Sequence, residues 1–437
     1  SSIACRAEKR DRAVHVVGII GTGEMGWRMG KLLAKAGHPI VCYDIRPEAL
    51  QRPRESGFRV ADSIASLGDQ SDIVITCVTD GAALRDVVEG KHGLAATLHA
   101  GKTVIDTTSA EPWITEELAG VLSARQIPFL DAPVSGGVPA AEAGKMNFMV
   151  GGDRDLLQRS HALLAHLGPV IKHVGPIGSG HAIKAINMLA LAASMLSTCE
   201  VVSLGLAVDE KLDDLIARLD SGSGASFCTR VHFPRFIAPG NYNSGFTFNL
   251  MLKDLVIGIG LAERYNMPLF LERLAFEHYR VAANTGMSGL DNTRIAEPFT
   301  RVAATRGKMQ HNADMERIVA ACNLVVAGEA LSLGHAAGIP PETVIDVLGA
   351  GSGDSEMLSQ AVPAYLAGEM GSFPKLSDIQ DVFGRCSEAI GGQASVPIMA
   401  HAASLYASAA QQFGPDADSR RVIDLIAQWT GQSGFLS

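Results

Sequence analysis

The sequence predicts an α/β doubly wound parallel sheet followed by two tandem all-α domains. Three observations predict it. Up to about residue 176, short apolar strands alternate with helical segments. Beyond that point almost every residue falls in a helical or turn pattern. The helical half also repeats itself at a fixed offset.

The elements follow in order. Residues 14–20 (VHVVGII) are a continuous apolar run ending at glycine, the pattern of a buried parallel strand. A helical pattern runs from Met25 to Ala36, and Gly37 stops it. Residues 39–44, 72–78 and 102–106 are three more strands, with helical segments at 81–90 and 111–124 between them. Short strands near 128–131 and 147–151 complete the sheet. Residues 181–207 then form a long Ala/Leu/Met-rich helical pattern without proline.

The repeat lies in this second half. EVVSLGLAVDEKLDDLIARLDSGSGAS starts at Glu200, and EALSLGHAAGIPPETVIDVLGAGSGDS starts 129 residues later at Glu329. Further on, FNLMLKDLVIG resembles KLSDIQDVFG, with Asp254 matching Asp381 at an offset of 127. Amphipathic helices resemble one another by chance, but SLG and GSG blocks in one register favour duplication of a helical domain. The expected organisation is a flexible leader at 1–12, an α/β domain at 13–176, a helical domain at 177–300 and a degenerate second copy at 301–437.

Composition narrows the function. Of 437 residues, 47% are apolar and 19% charged, and the net charge is −9 without a Lys/Arg block, which argues against nucleic acid as a partner. The seven cysteines are scattered and show no CxxC or Cys/His spacing, so no metal site is expected and the thiols read as reduced and buried. No uninterrupted apolar run reaches the ~18 residues of a membrane span. The first twelve residues lack the apolar core of a secretory signal. A cytoplasmic protein without membrane attachment is expected.

The strongest motif is GIIGTGEMG, with Gly21, Gly23 and Gly26 in the G-x-G-x-x-G pattern. It follows a strand and opens a helix, the context that marks a dinucleotide-binding Rossmann domain. Gly21 serves the tight turn, Gly23 lets backbone approach a pyrophosphate, and Gly26 allows close helix–strand packing. Thr22, Glu24 and Met25 complete the loop. Asp44 ends the second strand eighteen residues after Gly26. A carboxylate there binds the adenine ribose hydroxyls and repels a 2′-phosphate, favouring NAD. Beyond Ile45, Arg46 has other uses open to it: pairing with a 2′-phosphate, which admits NADP, stacking on adenine, or lying in solvent.

Four blocks in order, GIIGTGEMG, DTTSAEP, DAPVSGGVPAAEAGKMNFMVGG and GSGHAIKAINM, with FNLMLKDL as a fifth, resemble the β-hydroxyacid dehydrogenase family over roughly residues 13–300. The resemblance implies that Cys77, Val78 and Thr79 form a cofactor loop and that Thr108, in DTTS, touches the cofactor. It implies a substrate loop at Ser135, Gly136 and Gly137, where converging backbone N–H groups cradle a carboxylate. It makes Lys184 the catalytic lysine. Such a base starts near pKa ~10.4 and needs burial or positive neighbours to work near neutrality. Asn187 is implied as its catalytic companion, but Met188 stands where the family usually has a second Asn. Lys253 is implied to face both cofactor and substrate.

In the second copy the counterparts of Lys184, Asn187 and Lys253 are Ala313, Glu316 and Gln380, so this copy is expected to be scaffold. Relatives pair their helical domains between subunits, which implies an intramolecular pseudo-dimer here and a chain that is a monomer or a homodimer. The expected reaction is NAD(P)-dependent interconversion of a small β-hydroxy acid and its semialdehyde or keto form. Imine reduction on the same scaffold and a non-catalytic dinucleotide-binding protein are the rivals, and Lys184 speaks against both. His38, His173 and His181 are expected in turn or cap roles, and His232 and Arg235 are candidates for a pocket wall.

Overall fold

The structure is a computed structural model that describes residues 14–301, 312–369, 373–390 and 396–436. The expected leader at 1–12 and most of the polar connection between the helical copies lie outside the described residues. The chain divides into two compact units, Ser1–Lys184 and Ala185–Ser437.

The first unit is built on one sheet. Its strands are β1 (Val17–Ile20), β2 (Ile40–Tyr43), β3 (Arg59–Val60), β4 (Ile73–Thr76), β5 (Thr103–Asp106), β6 (Phe129–Asp131), β7 (Val134–Ser135), β8 (Asn147–Gly151) and β9 (Val170–Gly175). Their order is β3-β2-β1-β4-β5-β6-β8-β7, with β9 also paired to β8. The first six strands are parallel to one another, and β8 runs antiparallel to β6 and β7. The order reverses direction at β1, and parallel sheets of this kind bind ligands beyond the strand ends at that point.

The strands β3, β7 and β9 were not expected. Two of them have only two residues, and in β9 the polar Lys172 and His173 interrupt the apolar run. The central strands β1 and β4 are buried along their whole length, because helices cover both faces of the sheet. Two apolar clusters result, one around Ile19, Met29 and Phe148 and the other around Val74, Leu84 and Leu118. Each fully buried Leu or Met side chain stabilises the unit by ~1.5–3 kcal/mol.

Helix α1 (Glu24–Lys35) opens directly from the glycine loop, and α2 (Gly81–Glu89) and α3 (Pro112–Ser123) follow β4 and β5. Asp80 starts α2 by accepting the Ala83 N–H at 2.9 Å, the bond that removal of an N-cap carboxylate would lose. Helix α4 (Ser179–Ala207) begins in this unit, carries Lys184, and continues into the second.

Among its described residues the second unit holds helices and loops, with three isolated bridges between single residues and no longer strand. Helix α4 and α5 (Asn312–Ala336) each contain a stretch apolar and long enough to cross a membrane, although interrupted runs hide this from a residue-by-residue reading. In both, 94% of that stretch is buried inside the protein, so they are core helices, apolar around most of their circumference.

The contacts of this unit repeat at the offset seen in the sequence. Phe227 N donates to the Asp354 carbonyl at 2.9 Å, and Glu356 N donates to the Ala225 carbonyl at 2.8 Å. Ser226 and Ser355 pair between them as an antiparallel bridge. Helices α6 (Leu271–Ala282) and α7 (Pro397–Phe413) are capped in the same way. Glu200 accepts from Ile398 N and Met399 N, both at 2.9 Å, at the start of α7. Its counterpart Glu329 accepts from Phe270, Leu271 and Glu272 at the start of α6. Each copy of the repeat therefore supplies a carboxylate to a helix N-terminus of the other, the reciprocity of a two-fold interface within one chain.

Candidate active site

The register of the sheet brings most of the expected cofactor residues to one edge. Ile20 lies opposite Tyr43 and Thr76, Thr76 opposite Asp106, and Asp106 opposite Asp131. The chain leaves those positions at Gly21, Asp44, Cys77, Thr107 and Ala132, so the loops that follow start side by side.

The glycine loop has the shape its residues require. Gly21 has φ of 90°, and a side chain there would run into the Cys77 carbonyl. A side chain on Gly26 would strike the Gly21 carbonyl. At Gly23 the nearest atom to an added Cβ is Arg46 Nη2, 4.0 Å away, so the backbone there is open to a close ligand. A pyrophosphate fits this loop. Glu24 stands exposed on the first turn of α1, paired with Arg28 and Arg52, and Met25 packs against the sheet core.

Asp44 is buried, and both of its carboxylate oxygens are engaged. Oδ2 accepts from Thr22 N at 2.8 Å, while Oδ1 accepts from Arg46 N at 3.0 Å and from Arg46 Nε at 3.3 Å. Thr22 thus turns its N–H and hydroxyl inward, the latter to the Ala49 carbonyl at 2.9 Å. Ile45 is 84% exposed, an apolar surface at the sheet edge on which an adenine ring can lie.

The loops after β4 and β5 are stitched together. Val78 N donates to Thr108 Oγ1 at 3.2 Å, and Thr108 N donates to Asp106 Oδ1 at 3.1 Å. Thr76 donates its hydroxyl to the same Asp106 oxygen at 2.6 Å. Thr108 is 2% exposed, so its hydroxyl serves the loop itself. Thr79 is exposed and donates to Asp80 at 3.0 Å. In the substrate loop, Ser135 ends β7, and Gly136 and Gly137 have φ of 106° and 62°, left-handed values that glycine adopts at little cost.

Sequence reasoning missed a buried group at the same edge. Asp131 Oδ1 accepts from Gly178 N at 2.8 Å and Oδ2 from His181 N at 2.9 Å, so this carboxylate anchors the start of α4. Burial pushes the Asp131 carboxyl above its usual range, against the pull of His181 and of the two backbone donors. His181 is not in a turn but in the first turn of α4, fully enclosed. The available sign was a pair of strands ending in aspartate, KTVID and FLD, inside an otherwise apolar sheet.

Lys184 stands half-buried one turn beyond His181. In the second unit, Asn187 is wholly buried and committed to the repeat: Gly353 N donates to its Oδ1 at 2.9 Å, and its Nδ2 donates to Ser352 Oγ at 2.8 Å. Its counterpart Glu316 accepts from Ser223 N at 2.7 Å and Ser223 Oγ at 2.8 Å. A catalytic use of Asn187 would have to break the first pair. Lys253 lies on the helix Phe248–Arg264 with its Nζ 3.1 Å from Asp254 Oδ1. His232 is buried between Phe227 and Phe236, and burial holds its imidazole down at about 4, whereas Arg235 faces solvent.

A glycine loop, an acidic strand end and a reversed parallel sheet define a dinucleotide-binding protein of the Rossmann class. Comparison with known proteins makes this narrower. Residues 16–175 match the NAD-binding domain of 6-phosphogluconate dehydrogenase, and residues 178–299 and 313–426 match the NAD-binding domain of NADP-dependent 3-hydroxyisobutyrate dehydrogenase. The mitochondrial 3-hydroxyisobutyrate dehydrogenase of Mus musculus is 34% identical over 65% of this chain and 88% of its own. A Mycobacterium tuberculosis 3-hydroxyisobutyrate dehydrogenase solved with L-serine superposes with a TM-score of 0.62 at 25% identity, over 65% of this chain and 99% of its own. Plasmodium falciparum 6-phosphogluconate dehydrogenase, at 14% identity, shares the fold over 90% of this chain and 92% of its own, with a TM-score of 0.69. The chain belongs to the β-hydroxyacid dehydrogenase family and is an NAD(P)-dependent oxidoreductase.

Proposed function

We propose that this chain interconverts a small β-hydroxy acid and its semialdehyde, with Lys184 as general acid and base. The observation that carries the reading is the placement of the family lysine. It sits on a helix whose first turn is hydrogen-bonded into the sheet edge that bears the cofactor loops.

A bound nicotinamide supplies the acceptor or donor of hydride. The chain's own residues do the rest. In the oxidative direction Lys184 Nζ takes the hydroxyl proton, and in the reductive direction it returns it. The exposed backbone of Ser135, Gly136 and Gly137 holds the substrate carboxylate. Asn187 supports Lys184 through the helix they share rather than by touching substrate, since its amide is engaged by Ser352 and Gly353.

The inward-facing Asp44 at the ribose position favours NAD over NADP, with Arg46 as the residue that admits the second. Cys42, Cys199, Cys228, Cys322 and Cys386 are buried free thiols, which supports a reducing compartment such as the cytoplasm. The test is a panel of short hydroxy acids (3-hydroxyisobutyrate, glycerate, threonate and serine among them) assayed for reduction of NAD and of NADP. Turnover of at least one acid, abolished by Lys184→Ala, is the expected result. A Lys184→Ala protein with wild-type turnover would sink the reading.

A further inference from the structure

The polar network under the cofactor edge joins the two halves of the proposed machinery. His181 stands three residues before Lys184 on α4, and positions three apart share a helix face. Its Nε2 lies 2.9 Å from the Thr108 carbonyl. A carbonyl only accepts, so Nε2 carries the proton and donates. Nδ1 is hydrogen-bonded to the Thr115 hydroxyl at 2.7 Å. Asp106 Oδ2, which has no hydrogen-bond partner, is 3.4 Å from the same Nε2. Asp131 Oδ2, already bonded to His181 N, lies 3.9 Å from Nδ1.

The connections therefore run from loop to loop. Val78 holds the Thr108 hydroxyl, Thr108 holds the His181 ring, and Asp131 holds the backbone at Gly178 and His181. His181, Thr108, Thr115, Asp106 and Asp131 are all at most 2% exposed. Burying two carboxylates and an imidazole carries a desolvation cost that an apolar anchor would avoid. Directional bonds give something apolar packing does not, a fixed rotation and height of the helix against the loops.

We infer that His181 is a positioning residue, which sets the first turns of α4, and with them Lys184, against the loops that hold the dinucleotide. This rests on the reading of Lys184 as the proton-transfer group. The competing role, support of the fold alone, is separated by the experiment.

The test uses the full chain with His181→Leu and His181→Gln. The Gln amide can still donate to the Thr108 carbonyl. Four quantities are read: Tm, NADH affinity by fluorescence, kcat and KM on an acid the wild type turns over, and acylation of Lys184 by limiting acetic anhydride across pH in the NADH complex. In the Leu variant kcat should fall by about a hundredfold, the loss expected of a group displaced by an ångström. NADH affinity and KM should stay within about threefold, so that the loss is in the chemical step. The pH profile of Lys184 acylation should move, and His181→Gln should restore most of kcat and of the profile.

If His181→Leu leaves kcat within about threefold and the acylation profile in place, the inference is wrong. It is equally wrong if the Gln and Leu variants lose activity together in step with Tm. Should the Leu variant fail to fold, Thr115→Val removes the bond to Nδ1 without changing shape, and a loss of about tenfold in kcat with a moved profile is expected. Lys184→Ala is run beside them. Its turnover decides the proton role of Lys184, while the acylation profile of the His181 variants decides positioning even if no acid of the panel reacts.

Discussion

At the scale of single residues the proposed function rests on Lys184 and Asp44, and each gives a measurable outcome. Lys184→Ala should lower kcat by ~10²–10⁴-fold, the usual loss when general acid–base help is removed. NADH binding, titrated by fluorescence, should be little changed, because the glycine loop and Asp44 are untouched. Asp44→Ala should weaken NAD and narrow its advantage over NADP, since it removes the ribose partner and the repulsion together. It also frees Thr22 N and Arg46 from their shared carboxylate, so Arg46 becomes available to a 2′-phosphate. Steady-state KM values for both cofactors check this. A wild type that already prefers NADP would show that Arg46 outweighs Asp44.

Among the elements, the crossed caps of the helical unit invite a pH experiment. Glu200 accepts two backbone N–H groups at the start of α7, yet burial lifts its carboxyl to about 7 against their pull. The folded state therefore holds the proton more tightly than an ordinary glutamate, whose value is 4.5. The stability this proton supplies is complete below the ordinary value and is lost as pH rises through about 7. Wild-type Tm should consequently fall between pH 5 and pH 8 by more than that of Glu200→Gln, which has no proton to lose there. Thermal melts at the two pH values measure it, and equal slopes for both proteins would contradict the assignment. Glu200→Ala should cost ~1–2 kcal/mol at pH 5, because the cap itself is gone, and less at pH 8, where the wild type has lost the stability of the protonated carboxyl.

For the whole molecule, the crossed contacts explain why the chain is half as long again as the mouse relative's matched region. Gly353, Ser352, Asp354, Ile398 and Met399 all lie beyond residue 301, and each bonds to a residue of the first helical copy. Removing everything after Arg306 should expose the apolar sides of α4 and leave Glu200 and Asn187 without partners. The shortened protein should dimerise or precipitate, as an uncovered apolar face does. The full chain satisfies this interface internally. Size-exclusion chromatography with light scattering compares the two, and a well-behaved monomer from the truncation would contradict the pseudo-dimer.

Much of this was legible in the sequence, for a local reason. Strand periodicity, the glycine spacing of GIIGTGEMG and the acid at position 44 are dictated by short-range geometry, so the fold class and the cofactor loop could be read from neighbours in the chain. The register of the repeat was legible as well, since 129 separates the SLG blocks, the GSG blocks, and the residues after the latter that pair across the copies. Tertiary structure alone decided the rest. Whether Asn187 faces a substrate or a glycine loop 166 residues away depends on which helix packs beside it, and no local pattern carries that. His181 looked like a residue of a glycine-rich turn. It became the centre of a network because Asp106, Thr108, Thr115 and Asp131 converge only when parallel strands lie in register, and hydrogen bonds depend on distance in space rather than on distance along the chain.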